Sequence, residues 1–357
     1  MLSILYALLS RRKMNKKLCN LKKIIKLLPR ECIKSPAMEL GSGSGILSIA
    51  IRSIFRNLKI TAIDKNISKM PPCIIRRYRK YNIELKENDV TTMKCPSNSI
   101  ATIFIYQFLH HLPSSQHNNF FQKIYNILKD RGYLIIIESF RPVYKVAQQN
   151  FLRINRIEAR IDQKLGEQPE YPVMYNNIVE KLHQSGFIII DAKKFLTFHD
   201  KISRNDWIIW RRHLIKRLKL VREKSEEDFN YITNDLRALD KRIAKEGLEE
   251  IPLTLLICKK INYEKITPVR KSGTKIRKEG ENEYLMINKF AKYMLVVNEI
   301  ALYIYGLING KNKINEIVQN IIKKTNADKC RVWKDVKRAV ALFAEFGYID
   351  IEDSFKS

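Results

Sequence analysis

The sequence predicts an α/β fold: a doubly wound, mostly parallel sheet of seven strands with a helical insertion, followed by a small α+β unit. Three observations carry this. Short apolar runs alternate with helix-like stretches from the first strand to about residue 138, the pattern of a parallel sheet covered on both faces. Residues 37–45, AMELGSGSG, read as a strand, a tight turn and a helix start, with Gly41, Gly43 and Gly45 alternating through the turn. Glycine relieves the steric limit there and lets backbone approach a ligand closely. The next apolar run, ITAIDK, then ends in Asp64, about 20 residues beyond the glycines, where an acid is placed to hold ribose hydroxyls. Together these indicate a nucleoside-containing ligand at the carboxyl end of the sheet.

The elements follow in order. Strand one is 36–40 and its helix about 45–56; strand two is 58–63, ending at Asp64 with Lys65 behind it. Pro71 and Pro72 interrupt the chain before a helical CIIRRYRKYN. Strand three, about 82–86, leads into Asn88, Asp89 and Val90, where a carboxylate can accept from the exocyclic amine of a base beside an apolar slot. Strand four, SIATIFIYQF, contains Tyr106 and Gln107 and runs into LHHLP with His110 and His111. A helix at 115–128, a turn at Asp130-Arg131-Gly132 and strand five, YLIIIES with Glu138 near its end, complete the first half. Helices at 142–168, over the mouth of the site, and 172–184 precede strand six at 187–192.

Residues 198–250 form a charged helical insertion, too long for an ordinary loop. It is expected to cap the pocket or offer a docking face. Strand seven, 251–260, is apolar enough to be central. Residues 261–279 read as a basic linker, and 280–357 as a second unit of two short strands, three helices and an extended tail.

The chain has 357 residues, 45% of them apolar, so one large domain with a smaller one is a natural division. Net charge is +29, from 66 Lys and Arg against 37 Asp and Glu. Such an excess attracts nucleic acid or anionic membrane, and the N-terminal segment 1–34 is a basic helix with an apolar face. The opening MLSILYALLS is too short to span a bilayer, and its charges follow rather than precede it. The six cysteines contain no CxxC pair, so neither a zinc ribbon nor an iron–sulfur site is suggested, and their scatter fits a reducing, cytoplasmic setting. His117 and His183 are expected on helix surfaces, and His199 lies at the start of the insertion. Trp207, Trp210 and Trp333 read as core or interface aromatics.

The ordered set ELGSGSG at 39–45, AID at 62–64, NDV at 88–90, FLHHLP at 108–113 and DRGYLIIIE at 130–138 resembles the class I S-adenosylmethionine-dependent methyltransferases over residues 35–260. The FLHHLP stretch resembles the quinone and small-molecule branch. The resemblance implies a Rossmann-like sheet with S-adenosylmethionine as cofactor. Gly41, Gly43 and Gly45, with Ser42, would pass beneath its methionine part, and Glu39 would stabilise that loop. Asp64 would bond both ribose hydroxyls, with Lys65 beside it. Asn88, Asp89 and Val90 would meet the adenine, and residues 106–111, including Gln107, would face the sulfonium. The 198–250 insertion departs from the family plan.

The second unit, on its runs at 298–310, 315–319 and 343–349, is similar to the PqqD-like family of small winged-helix modules, which bind leader segments of precursor peptides.

Methyl transfer is an in-line displacement that rewards alignment, and a base is needed only when the acceptor must lose a proton. His110, His111 and Tyr106 are the candidates for catalytic roles. A dinucleotide oxidoreductase is the nearest rival, but its GxGxxG spacing requires glycine where Ile46 stands. A binding protein without turnover is a further alternative. The acceptor classes left open are a peptide or peptide-derived product brought in by the second unit, RNA held by the basic surface, and a small quinone- or lipid-like molecule.

Overall fold

The computed structural model describes residues 11–195 and 201–353. The extreme N-terminal apolar run and His199 lie outside them.

Seven strands form one sheet in the order β3-β2-β1-β4-β5-β7-β6. They are β1 (Ala37–Leu40), β2 (Ile60–Asp64), β3 (Glu84–Glu87), β4 (Ile100–Tyr106), β5 (Leu128–Ser139), β6 (Phe187–Phe195) and β7 (Leu253–Lys260). β7 runs antiparallel between β5 and β6, and the pairs from β3 through to β5 are parallel. Chain order reverses beside β1, so the loops after β1 and β4 open a crevice at the carboxyl edge, the place where such sheets take ligands.

The central strands are buried on both faces; β4, IATIFIY, is buried over all but its last residue. On one face α1 (Arg11–Lys26), α2 (Ile46–Ile54) and α3 (Pro72–Lys80) pack through Leu21, Ile25, Leu47, Ile51 and Tyr78. On the other, α4 (His117–Ile127) and α6 (Tyr175–Ser185) pack through Phe120, Phe121, Ile178 and Leu182.

The 198–250 region contributes α7 (Arg204–Arg222) and α8 (Glu226–Glu246), which join α5 (Val146–Leu165) in a three-helix unit with its own core of Ile154, Ile157, Leu214, Leu218, Leu236 and Leu239. Ser203 and Ser225 cap the two inserted helices by accepting from Asp206 N at 3.1 Å and Asp228 N at 3.2 Å. Trp207 and Trp210 belong to this unit.

Four expectations need correction. Asp130-Arg131-Gly132 is not a turn ahead of β5 but part of it; the strand starts at Leu128 and takes up the extra residues as a register shift against β4, with Arg131 at φ 60°. The stretch 261–279 is not a bare linker. It contains β8 (Ile266–Arg270) and β9 (Lys275–Lys278). β8 pairs with β12 (Ile349–Asp353), and β9 is the outer strand of a meander with β10 (Glu283–Ile287) and β11 (Leu295–Asn298). His117 and His183 are buried, not on the surface. His117 Nε2 reaches Leu109 O at 3.3 Å, and His183 Nε2 reaches Glu345 Oε1 at 2.7 Å.

After the meander come α9 (Glu299–Leu307), α10 (Ile314–Thr325) and α11 (Lys329–Phe346). This second unit is docked on the large sheet. The His183–Glu345 contact joins α6 to α11, and Glu345 also accepts from Ile189 N of β6 at 2.6 Å. Ile188 enters the second unit's core.

Candidate functional site

The turn after β1 is made of backbone. Gly41, Gly43 and Gly45 have φ of 68°, 49° and 72°, values that L side chains rarely adopt. A Cβ on Gly41 would run into the Phe108 ring and one on Gly45 into the Tyr78 ring, whereas one on Gly43 would meet nothing within 4 Å. The outer glycines therefore seal the turn against the protein, and the middle one faces open space. Asp64, at the end of β2, ties this turn to the neighbouring strand. Its Oδ2 accepts from Gly43 N at 2.8 Å and its Oδ1 from Asn66 N at 2.9 Å. A carboxylate has about four lone-pair sites, so acceptor capacity remains for hydroxyl groups.

Beneath the turn, Glu39 is 1% exposed and accepts from Ser48 N at 3.0 Å and from the Ser48 hydroxyl. Burial pushes its pKa up to about 8, outweighing the Ser48 hydrogen bonds, with Asp64 adding to the rise. Burial thus favours the neutral acid, and Glu39 holds β1 to the first turn of α2. Asp89 follows β3. Its Oδ1 accepts from Thr91 N at 2.8 Å and Thr91 Oγ1 at 2.6 Å. Partial burial would raise its pKa, but these bonds, with Lys65 and Lys123 nearby, hold it below the usual range. Val90 is buried beside Met38, Leu40 and Ile63, while Asn88 is exposed with its N–H on Asp64 O at 3.0 Å.

The turn after β4 is made of side chains. Glu138, 1% exposed, accepts from Gln107 Nε2 at 3.0 Å, Leu109 N at 2.9 Å and Ser139 N at 2.9 Å, and lies 3.2 Å from His110 Nδ1. Burial alone would raise the Glu138 pKa; His110 and the hydrogen bonds hold it low instead. Burial would conversely lower that of His110, and Glu138 raises it. The His111 ring, 4.2 Å from that of His110 between centroids, is pushed down to about 4 by desolvation and by its neighbour.

The segment after α5 lies across these histidines. Tyr171 N donates to His110 O and Gln168 Nε2 to His111 O, each at 2.7 Å. Lys65 Nζ reaches Gln168 Oε1 at 3.4 Å. Arg217 of α7 fixes the start of the segment through Asp162 and Glu167, each at 2.7 Å.

The family described as "Methyltransferase domain" matches residues 37–132, which span the glycine turn, Asp64, Asp89 and the histidine turn. This chain carries a methyltransferase domain. Solved structures similar to this chain include the [4+2]-cyclase SpnF, at 14% identity over 68% of this chain and 80% of that one, with a TM-score of 0.43. Another is phosphoethanolamine N-methyltransferase 2 of Haemonchus contortus, in complex with phosphomonomethylethanolamine and S-adenosylhomocysteine, at 15% over 68% and 53%, TM-score 0.43. A third is YcgJ of Bacillus subtilis, at 13% over 68% and 98%, TM-score 0.45. No curated protein matches the sequence.

Within the methyltransferase domain, the donor set fits a nucleoside: a backbone turn open at Gly43, a strand-end carboxylate and a second acid beside an apolar residue. Several candidate residues have other employment. Ser42 is buried and its Oγ accepts from Tyr78 OH at 2.9 Å. Lys65 extends to Gln168 rather than along the turn, and Gln107 donates to Glu138. Tyr106 is half-buried, with Lys17 of α1 lying 5.7 Å from its ring centroid. Glu138, legible in the sequence as a strand-end acid able to orient a group at the sheet's mouth, does so here for Gln107, Leu109 and His110. Glu170, whose Oε1 lies 3.9 Å from His110 Nε2, had no signal.

Proposed function

We propose that the enzyme transfers a methyl group to a peptide or peptide-derived substrate recruited by the C-terminal unit. The observation that carries the transfer reading is the glycine turn left open at Gly43 and tied to Asp64. When bound, S-adenosylmethionine supplies an electrophilic methyl on a good leaving group. Gly41, Gly43 and Gly45 would admit it along backbone, Asp64 would accept from its ribose hydroxyls, and Asp89 with Val90 would receive its base. The acceptor would approach under the 166–174 segment, beside His110 and His111, which with Tyr106 are the side chains proposed to handle its proton.

The peptide reading rests on the second unit. A three-stranded meander followed by three helices ends in β11, an edge strand among the described residues. Met294 and Val296 on or beside it are 65% and 58% exposed, and Tyr293, Phe290 and Ile300 continue the apolar surface. An extended chain added to such an edge gains backbone hydrogen bonds, and the side-chain pockets select it. β9, Lys275–Lys278, at the opposite edge of the meander, is exposed and basic. This arrangement supports the likeness to the PqqD-like, winged-helix modules.

The test is transfer of radiolabelled methyl into a lysate of the source cells. Label in protease-sensitive material, lost with Met294→Lys and Val296→Lys together, is the expected result. Nuclease-sensitive label would favour RNA, and solvent-extractable label a quinone- or lipid-like acceptor; either overturns the peptide reading.

A further inference from the structure

Two imidazoles and a carboxylate meet where the 166–174 segment crosses the turn after β4. One donor atom each from His110, His111 and Glu170 lies within 4.8 Å of the others. His110 Nε2 is 3.9 Å from Glu170 Oε1. In a tetrahedral zinc site, metal–ligand bonds near 2.1 Å put ligand atoms roughly 3.4 Å apart, so small side-chain rotations would close the set.

The orientation of His110 is the second observation. Its Nδ1 faces the buried Glu138 at 3.2 Å, which leaves Nε2 toward Glu170. A carboxylate on the far nitrogen is the usual partner of a metal-ligating histidine: it fixes the tautomer and makes the ligating nitrogen more basic. The carboxylate is itself anchored, by Leu109 N and Ser139 N. The third observation is that the donors are held together by backbone. Tyr171, next to Glu170, donates to His110 O, and Gln168 donates to His111 O, each at 2.7 Å. The Lys65 ammonium is directed at Gln168, 3.4 Å from its Oε1.

We propose that His110 Nε2, His111 and Glu170 bind one divalent transition-metal ion, with Glu138 as the positioning residue behind His110. Two nitrogens and one carboxylate oxygen suit zinc or a similar ion better than magnesium or calcium. Three protein ligands leave a position open, as in sites that activate a bound hydroxyl or thiol. With the metal bound, the acceptor's oxygen or sulfur would take that position and lose its proton to water before the methyl arrives, so the two imidazoles would act as ligands in place of handling that proton themselves. This last step rests on the methyl-transfer reading; metal binding does not. The ion also pins the segment after α5 to the site, because Glu170 comes from that segment and both histidines from the sheet.

The test uses the full chain, stripped with a chelator and titrated with cobalt(II) and zinc(II). The expected result is one equivalent bound, with the visible absorption of four-coordinate cobalt and no thiolate charge-transfer band. Glu170→Gln and His111→Gln are each expected to weaken binding at least tenfold, with the thermal unfolding midpoint of the metal-free chain unchanged. Substoichiometric binding, equal affinity in both variants, or a thiolate band from the exposed Cys19, Cys73 or Cys330 overturns the site. A chain that binds S-adenosylmethionine but no metal refutes the metal site alone. A chain that binds the metal at these residues but not S-adenosylmethionine supports the site and refutes the methyl-transfer reading.

Discussion

The two turns that frame the crevice are built from opposite materials. The turn after β1 is backbone: three left-handed glycines, sealed by Phe108 and Tyr78 and tied to β2 through Asp64. The turn after β4 is a side-chain network gathered on one buried carboxylate, Glu138. The first fails when a side chain is added, the second when a charge is removed. Phe108 joins them, since it stands in the second turn and its ring covers the first.

That contrast sets the order of expected effects. Glu138→Ala leaves His110 and two backbone N–H groups without their buried partner, and breaking a buried charge pair costs about 3–5 kcal/mol. Urea unfolding should show a loss of that size; a loss within ~0.5 kcal/mol, the range of ordinary surface changes, would mean that the network is not what holds this turn.

Gly41→Ala should cost about 1–3 kcal/mol through the Phe108 clash, as overpacking does elsewhere, with a further penalty for positive φ. Adding Phe108→Ala should recover the clash component and not the backbone one. If the double variant is no more stable than Gly41→Ala alone by more than the loss of Phe108 allows, a steric seal is the wrong description.

A change of pH sharpens the comparison further. Glu39 has its folded pKa raised from 4.5 to about 8. The folded state therefore holds a proton that the unfolded chain releases, so this contribution is present below the unfolded pKa and declines as pH rises toward the folded one. The slope is at most one proton, about 1.4 kcal/mol per pH unit. Between those two pKa values the wild-type chain should lose stability relative to Glu39→Gln as pH rises. A flat difference would show that Glu39 is ionised in the fold.

The same contrast explains what was legible in the sequence. A backbone turn announces itself, because only glycine suits Gly41, Gly43 and Gly45, and an acid ending an apolar run marks Asp64. β7 was legible as a central strand because both of its faces are apolar. The Glu138 network was not, since Gln107 and His110 meet it only once β4 and β5 pair. Glu170 reaches the histidines after a 20-residue helix, a path with no local signature. β9 escaped notice because its residues, KIRK, are all exposed; pairing with β10 makes it a strand, and context outweighs propensity there. His117 and His183 look like surface residues until Leu109 O and Glu345 arrive to bury them.

The account stands on donor binding at the backbone turn, and calorimetric titration of S-adenosylmethionine into the wild-type and Asp64→Ala chains tests it most directly. The expected result is one site on the wild-type chain and at least tenfold weaker binding by the variant, about 1.4 kcal/mol. Equal affinities, or a folded wild-type chain that takes up no donor, would contradict it.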